Sequence, residues 1–479
     1  MIPCQNLNFK NRFIDLGPEF YQEKQPDPVT DPYLVDYSPS VGQLIDLPEE
    51  GGDNFLANFS GNQPMEGARP LAMAYSGHQF GSYNPKLGDG RGLLLGEVSN
   101  KENISWDVHL KGAGPTRFAR GFDGRATLQS SIREHLGSEA LNGLGIPTTR
   151  SLAVIGIREL IYRQKPELAA ILVRVADCHI RFGSFEFFHY TKQPKSVERL
   201  ADFSIEHYHN DIYNEPDRYR IFFRRVLTLT AKLISKWQSV GFVHGVMNTD
   251  NMTITGTTFD YGPYGFMEDY LPSYVCNHSD HQGRYAFKNQ PYIGLWNCSA
   301  LGHALSSMIS EEAQGEILQT YEEIFQNTLA ELFRKKLGLE QEQSEDAALI
   351  QGLLDIMESE KLDYTNTFRN LTQALTNKIT PELNSDIAKS WIVSFQERHT
   401  KEGLSVDKKV ISMKQVNPKF ILRNYMAQEA IDAAEESDFS MLETLIIILT
   451  KPFEEHKEYQ NFANKSPAWA KDLEISCSS

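Results

Sequence analysis

Cysteine is scarce in this chain: 5 in 479 residues, at positions 4, 178, 276, 298 and 477, with no C-x-x-C pair. That spacing argues against the common zinc signatures and against a disulfide scaffold. Long apolar runs are missing as well. Stretches such as "LIIIL" at 445–449 fall far short of the roughly 20 residues that a membrane-spanning helix needs. Nor is there an excess of positive charge, since 47 Lys and Arg face 63 Asp and Glu for a net charge of −16. So acidic a surface disfavours nucleic acid or an anionic membrane as the main partner, and any polyphosphate site must be a local concentration of basic residues. The opening "MIPCQNLNFKNRF" lacks a basic region followed by an apolar one, so no secretory signal is read and a cytoplasmic location is expected. Internal repeats and low-complexity tracts are absent.

What is present suits a folded protein of two or three domains, with 41% hydrophobic residues and 11% aromatics. Residues 1–65, rich in Pro, Asp and Gly, read as an irregular N-terminal arm. Strand signals concentrate in 66–190, which reads as a β-rich, nucleotide-binding lobe. Residues 191–300 read as a core carrying catalytic and metal loops, and 301–479 as a helical extension. Strands first and helices later give an α+β class.

Residues 86–111 read as a β-hairpin. Gly88-Asp89-Gly90-Arg91 is a turn signal, "LLLGEV" (93–98) a short strand, and "ISWDVHLK" (104–111) alternates with period two. Ile104, Trp106, Val108 and Leu110 share one face of that last strand; Ser105, Asp107, His109 and Lys111 share the other. Free amides at Gly88 and Gly90 beside the Arg91 guanidinium suit phosphate oxygens, and Asp123-Gly124-Arg125 has the same make-up. A plain turn is an equal reading of each. Lys111 is either a phosphate-binding lysine or a surface residue at a strand end. A helix predicted over 128–144 offers it a partner in Glu134 or Glu139. At about 100° per residue, Glu139 falls on the stripe of Leu128, Ile132 and Leu136, so periodicity leans towards Glu139. "ILVRV" (171–175) reads as a buried strand. Arg174 within it and Arg181 beyond it require an anionic partner, whether a structural carboxylate or a ligand.

"GFVHGVMNTDNMTITGTTFDYG" (241–262) carries the strongest chemistry. Protein kinases hold an H-R-D-x-x-x-x-N segment and then Asp-Phe-Gly, with the first Asp orienting the acceptor hydroxyl and the Asn and second Asp holding Mg²⁺. Here Asn251 and Asp260 supply two hard oxygen donors, expected on a strand-turn-strand. Counting back from Asn251, the position of the first Asp is Val246. His244 reads as a structural buttress. Turn, strand lysine, helix glutamate, then Asn and Asp follow one another in kinase order, which points to a protein-kinase-like, two-lobed fold.

Four stretches together resemble the selenoprotein O family: "SGHQFGSYNPKLGDGRGLLLGE", "LKGAGPTRFARGFDGRATLQSSIREHLGSEAL", "HGVMNTDNM" with "FDYGPYGFMEDY", and "NPKFILRNYMAQEAI". The resemblance covers nearly the whole chain and ends at Cys477-Ser-Ser, where that family can carry selenocysteine. It implies a kinase-like fold that binds ATP inverted relative to protein kinases. AMP, with UMP from UTP as a variant, is then transferred to Ser, Thr or Tyr of protein substrates under Mg²⁺ or Mn²⁺, with release of pyrophosphate. By the same match, nucleotide contacts fall on Gly88, Gly90, Arg91, Lys111, Asp123, Gly124, Arg174 and Arg181. Asp250 takes the catalytic-base position, and Asn251 and Asp260 take the metal. The match favours Glu134 over Glu139 as the partner of Lys111.

Two other readings compete: a metal-dependent phosphotransferase, and a catalytically inactive pseudokinase scaffold. Retention of the lysine and both metal ligands disfavours the scaffold. Cys477, in a tail, is expected to be an accessible redox thiol with Cys276 as its partner.

Overall fold

Short strands dominate the first 176 residues of the computed structural model, which describes residues 7–376, 380 and 382–475. In chain order they are β1 (Phe9–Lys10), β2 (Tyr21–Glu23), β3 (Tyr33–Tyr37), β4 (Leu71–Met73), β5 (Gly77–Gln79) and β6 (Ser82–Asn84). Then come β7 (Gly92–Ser99), β8 (Ser105–Lys111), β9 (Ala126–Thr127), β10 (Arg150–Tyr162) and β11 (Pro166–Ala176). Much later, β12 (Phe242–Val243) and β13 (Gly265–Phe266) pair with each other. A nine-stranded antiparallel sheet runs β2-β4-β7-β8-β11-β10-β3, with β1 on β7 and β9 on β11. The expected hairpin is β7 with β8, and the strand expected at 171–175 lies inside β11.

Register decides which side chains reach the site. Lys111 stands opposite Gly92 on β7 and Leu172 on β11, and His109 stands opposite Arg174. Cross-strand partners share a face. Lys111, His109 and Arg174 are therefore on the face of Leu94 and Leu172, against the helix Leu128–Gly143. Leu93, Leu95, Val108, Leu110, Ile171 and Val173 form the opposite face. That face is covered by Val41, Ile45, Phe55 and Phe59. The first 65 residues are thus less irregular than their composition suggests. They supply β1–β3 and two short helices, Pro39–Leu44 and Phe55–Phe59, each too brief to leave a periodic signature.

Helix Leu128–Gly143 begins where Thr127 caps it, its hydroxyl accepting from the Ser130 N–H at 3.0 Å. From Phe182 onward helices predominate, interrupted by the loop-rich stretch 240–289 that holds β12 and β13, and the expected helices after residue 300 appear, among the described residues, as eight α-helices between Glu311 and Thr450. Five of them, from Tyr321 to Val416, surround a separate apolar cluster that includes Phe333, Leu353, Phe368, Trp391, Phe395 and Met413. The last two, Asn424–Glu435 and Ser440–Thr450, return to pack on Leu128–Gly143, with Leu445 and Leu449 in the same core as Leu136 and Ala140. The approach is close, because a Cβ on Gly143 would lie 2.0 Å from the Leu449 carbonyl oxygen. Among the described residues no helix is long and apolar enough to cross a membrane.

Candidate active site

A cavity of about 590 Å³ gathers most of the residues singled out by sequence. Gly88, Gly90, Arg91, Lys111, Asp123, Gly124, Arg174, Arg181, Asp250, Asn251 and Asp260 all line it. Glu134 stands just behind the wall, 2% exposed.

The lysine, the arginines and two carboxylates interleave. Lys111 Nζ bonds Glu134 Oε2, and Arg174 Nε donates to Glu134 Oε1 at 3.0 Å. Arg174 Nη2 donates to Asp260 Oδ1 at 2.8 Å, Arg181 Nη1 donates to Asp260 Oδ2, and Lys111 Nζ lies 3.6 Å from Asp260. Glu139, the partner favoured by periodicity, is instead held by Arg150 at 2.7 and 2.8 Å. The apolar stripe indicates which face of the helix is buried; here a buried face also carries charge. Burial alone would push Asp260 and Glu134 upward, but the surrounding cations outweigh it and hold both below the usual carboxylate range, Asp260 well below. Burial also lowers Lys111, against the pull of Glu134 and Asp260. Arg181 is further fixed between the rings of Tyr75 and Phe259, at 4.3 and 4.2 Å.

Both glycine-rich segments form one wall. Gly88 has φ +108°, and a Cβ there would meet the Phe118 ring at 2.5 Å. Gly124, at φ +71°, has no room either, since a Cβ would lie 2.1 Å from the backbone of Gly114 and Pro115. Thr116 ties the segments together, its hydroxyl donating to the Asp89 carbonyl at 2.6 Å. Asp123 is clamped by Arg163 at 2.7 and 2.9 Å. Arg91 is exposed, and among the described residues its guanidinium has no carboxylate partner, which leaves it available to an anion.

The segment 241–262 is not the strand-turn-strand expected. β12 opens the segment but pairs with β13 beyond it, Thr249–Asn251 is a single 3₁₀ turn, and the stretch that follows makes isolated bridges, Met252 with Thr258, Thr253 with Arg181 and Thr258 with Thr148. His244 does buttress it: Nε2 donates to the Phe259 carbonyl at 3.0 Å, and Nδ1 lies 3.4 Å from the Val246 amide. Asn251 Nδ2 donates to the Val246 carbonyl at 2.9 Å, and its Oδ1 has no hydrogen bond among the described residues. Asp260 adopts a left-handed φ of +53°, a strained backbone of the kind found at functional sites. An amide oxygen and a carboxylate at one cavity wall fit a hard divalent cation of the Mg²⁺ type, which takes one or two protein oxygens and completes its shell with phosphate and water.

Asp250 is different in kind. It is buried, its Oδ2 accepts from Gln79 Nε2 at 3.3 Å, and its Oδ1 has no hydrogen bond among the described residues. Burial lifts its carboxyl to about 7, partly offset by Arg181. Sequence reasoning missed Gln79, Arg163 and Asp89, the last of which accepts from the Met73 N–H at 3.1 Å and lies 3.7 Å from Arg181. Asp89 was visible only as a turn residue in Gly88-Asp89-Gly90.

Cys276 is buried, with its thiol donating to the Pro263 carbonyl at 2.7 Å. Its expected partner, Cys477, lies outside the described residues. The main chain of Ile475, two positions earlier, is hydrogen-bonded to His278 at 2.9 and 3.0 Å.

Buried arginines and a lysine around paired oxygen donors are the equipment of an enzyme that handles phosphate groups. The family follows from comparison. A family model described as Protein adenylyltransferase SelO matches residues 3–450. The protein nucleotidyltransferase YdiU of Photobacterium profundum is 46% identical over 514 aligned residues, covering 100% of each chain. Proteins of the same name from Myxococcus xanthus and Stutzerimonas stutzeri are 44% and 45% identical, covering 100% and 99% of each chain. The chain belongs to the SelO family of protein adenylyltransferases, enzymes that transfer a nucleotidyl group to protein.

Proposed function

We propose that the chain binds ATP in this cavity on a kinase-like arrangement, inverted relative to protein kinases, and transfers AMP to Ser, Thr or Tyr hydroxyls of other proteins. The observation that carries this reading is the exchange between Val246 and Asp250. The kinase base position is a buried valine whose carbonyl merely accepts from Asn251, whereas Asp250, four residues on, has a buried carboxyl with one unpartnered oxygen. A carboxyl near 7 is matched to accept a proton at neutral pH.

The chemistry then balances. The acceptor hydroxyl oxygen bonds to the α-phosphorus, the bond from that phosphorus to the bridging oxygen breaks, and pyrophosphate leaves while the hydroxyl proton passes to the Asp250 carboxylate. Lys111 and Arg91, with Arg174 and Arg181 behind them, orient the phosphates and offset their charge. Mg²⁺ or Mn²⁺, which Asn251 and Asp260 would hold, supplies further neutralisation of phosphate oxygens when bound. UTP in place of ATP would give UMP transfer by the same steps.

The test uses ATP labelled at the α- or the γ-phosphate with Mg²⁺ or Mn²⁺. Retained α-label, a mass gain of one AMP and free pyrophosphate are expected. Retained γ-label with released ADP would overturn the proposal in favour of a phosphotransferase.

A further inference from the structure

Glu186 has no part in the steps above, yet it is a buried carboxyl at the back of the site. It lies on the helix Phe182–Tyr190 with no measurable exposure. Its two oxygens reach two different segments: Oε1 contacts His78 Nδ1, and Oε2 accepts the Thr249 hydroxyl. The same Thr249 oxygen accepts the His78 main-chain N–H at 2.7 Å, which closes a three-residue ring. The residues that follow these two partners are Gln79 and Asp250, and they are hydrogen-bonded to each other through Asp250 Oδ2. Glu186 therefore holds the residue before each member of that pair.

Little slack exists around this ring. A Cβ on Gly77 would lie 2.8 Å from Asp250 Oδ1, and one on Gly183 would lie 2.0 Å from the Ser76 carbonyl oxygen. Hairpin β5–β6, the helix and the 3₁₀ turn are thus in direct backbone contact. For stability alone, a buried carboxyl is a poor choice against an apolar side chain of equal volume. Its two-armed geometry instead fixes a neighbour.

We infer that Glu186 is a positioning residue for nucleotidyl transfer: through Thr249 and His78 it sets the Gln79–Asp250 contact, and so decides which Asp250 oxygen faces the acceptor. The inference rests on Asp250 acting as the base.

The experiment compares Glu186→Ala, Thr249→Val and Thr249→Ser with the wild type, using α-labelled ATP for kcat and KM, calorimetry for ATP affinity, and melting curves for folding. Glu186→Ala and Thr249→Val should each lower kcat by about tenfold to a hundredfold, the scale of a small misplacement at a reacting centre. ATP affinity should stay within about twofold, since neither residue touches the nucleotide wall, and Thr249→Ser should restore kcat. A double variant, Glu186→Ala with Asp250→Asn, should be no slower than Asp250→Asn alone, because residues acting through one another are not additive. Wild-type kcat in Glu186→Ala, additive losses in the double variant, or parallel loss of ATP affinity would each overturn the inference. If Glu186→Ala does not fold, the Thr249→Val and Thr249→Ser pair decides alone, and equal rates for the two refute it. Failure of the underlying reading is distinguishable: it appears as absent α-label in the wild type, or as full activity in Asp250→Asn.

Discussion

Arg181 donates from Nη1 to the main-chain carbonyl of Asp250 at 2.7 Å, and the same nitrogen contacts the Asp260 carboxylate. One guanidinium therefore spans the proposed base turn and the proposed metal carboxylate. Lysine lacks the flat guanidinium that packs between the Tyr75 and Phe259 rings and holds that nitrogen in place. Arg181→Lys is expected to reduce α-label transfer by more than about tenfold, the scale of one lost electrostatic contact, as a labelled-ATP time course would measure. Wild-type rates in that variant would show that the bridge is dispensable.

Metal and lysine contributions should separate by charge. Asp260→Ala should abolish transfer, whereas Asn251→Ala should weaken it less, because a neutral ligand contributes less to cation binding. Lys111→Ala should cost about 2–4 kcal/mol of transition-state stabilisation, the range for one lost electrostatic contact. Near-normal self-modification by Asp260→Ala would reject the metal assignment.

Restoring a carboxylate at the kinase position should change little. Val246→Asp is expected to leave the α-label, not the γ-label, on protein, because the proposed phosphate contacts are Arg91, Lys111, Arg174 and Arg181. A switch to retained γ-label would place control of orientation at residue 246.

Lys336 provides a pH test of stability. Its ammonium lies 4.3 Å from the centre of the Phe368 ring, buried, with no carboxylate partner among the described residues. Burial lowers it from 10.5 to about 7. Between those values the unfolded chain binds the proton and the folded chain does not, so this group makes stability rise with pH through that window. Below about pH 7 the folded state carries the full penalty of a buried charge, softened by the aromatic faces. Lys336→Met should therefore raise unfolding stability by about 1–3 kcal/mol at about pH 6. The gain should shrink towards about pH 10, as denaturant melts of both proteins would show. A gain independent of pH would mean that the buried amine keeps its ordinary pKa and stays charged throughout the window.

Mild oxidation should join Cys276 to Cys477, the two thiols giving up two electrons and two protons to an added oxidant such as diamide. The contact between Ile475 and His278 carries this expectation, since each lies two residues from one cysteine. Peptide mapping without reductant would detect the bridge, and an unmodified Cys477 after oxidation would end the idea.

The strands carrying Lys111 and Arg174, the helix carrying Glu134 and the helical second half were legible because period-two and 3.6-residue patterns and turn glycines act locally. Glu134 was not separable from Glu139 by periodicity, because both are buried and each has its own arginine. The edge strands of the first 65 residues, and the 3₁₀ turn at 249–251, were illegible for a related reason: segments of two to five residues are specified by partners far along the chain. Gln79, Arg163 and Glu186 were invisible for the same cause. Their meaning arises only where hairpin β5–β6 meets the helix Phe182–Tyr190, and where Arg163 beyond β10 reaches Asp123.

The return of Ser440–Thr450 onto Leu128–Gly143 has a consequence for synthesis. The helix that presents Glu134 to Lys111 obtains part of its packing from Leu445 and Leu449, some 300 residues later. A nascent chain emerging from the ribosome cannot seat that helix against its final neighbours until almost the entire message has been read. Premature termination anywhere before residue 440 should therefore leave the helix under-supported and the chain exposed to proteolysis, so that only full-length translation products acquire an assembled lysine–glutamate pair.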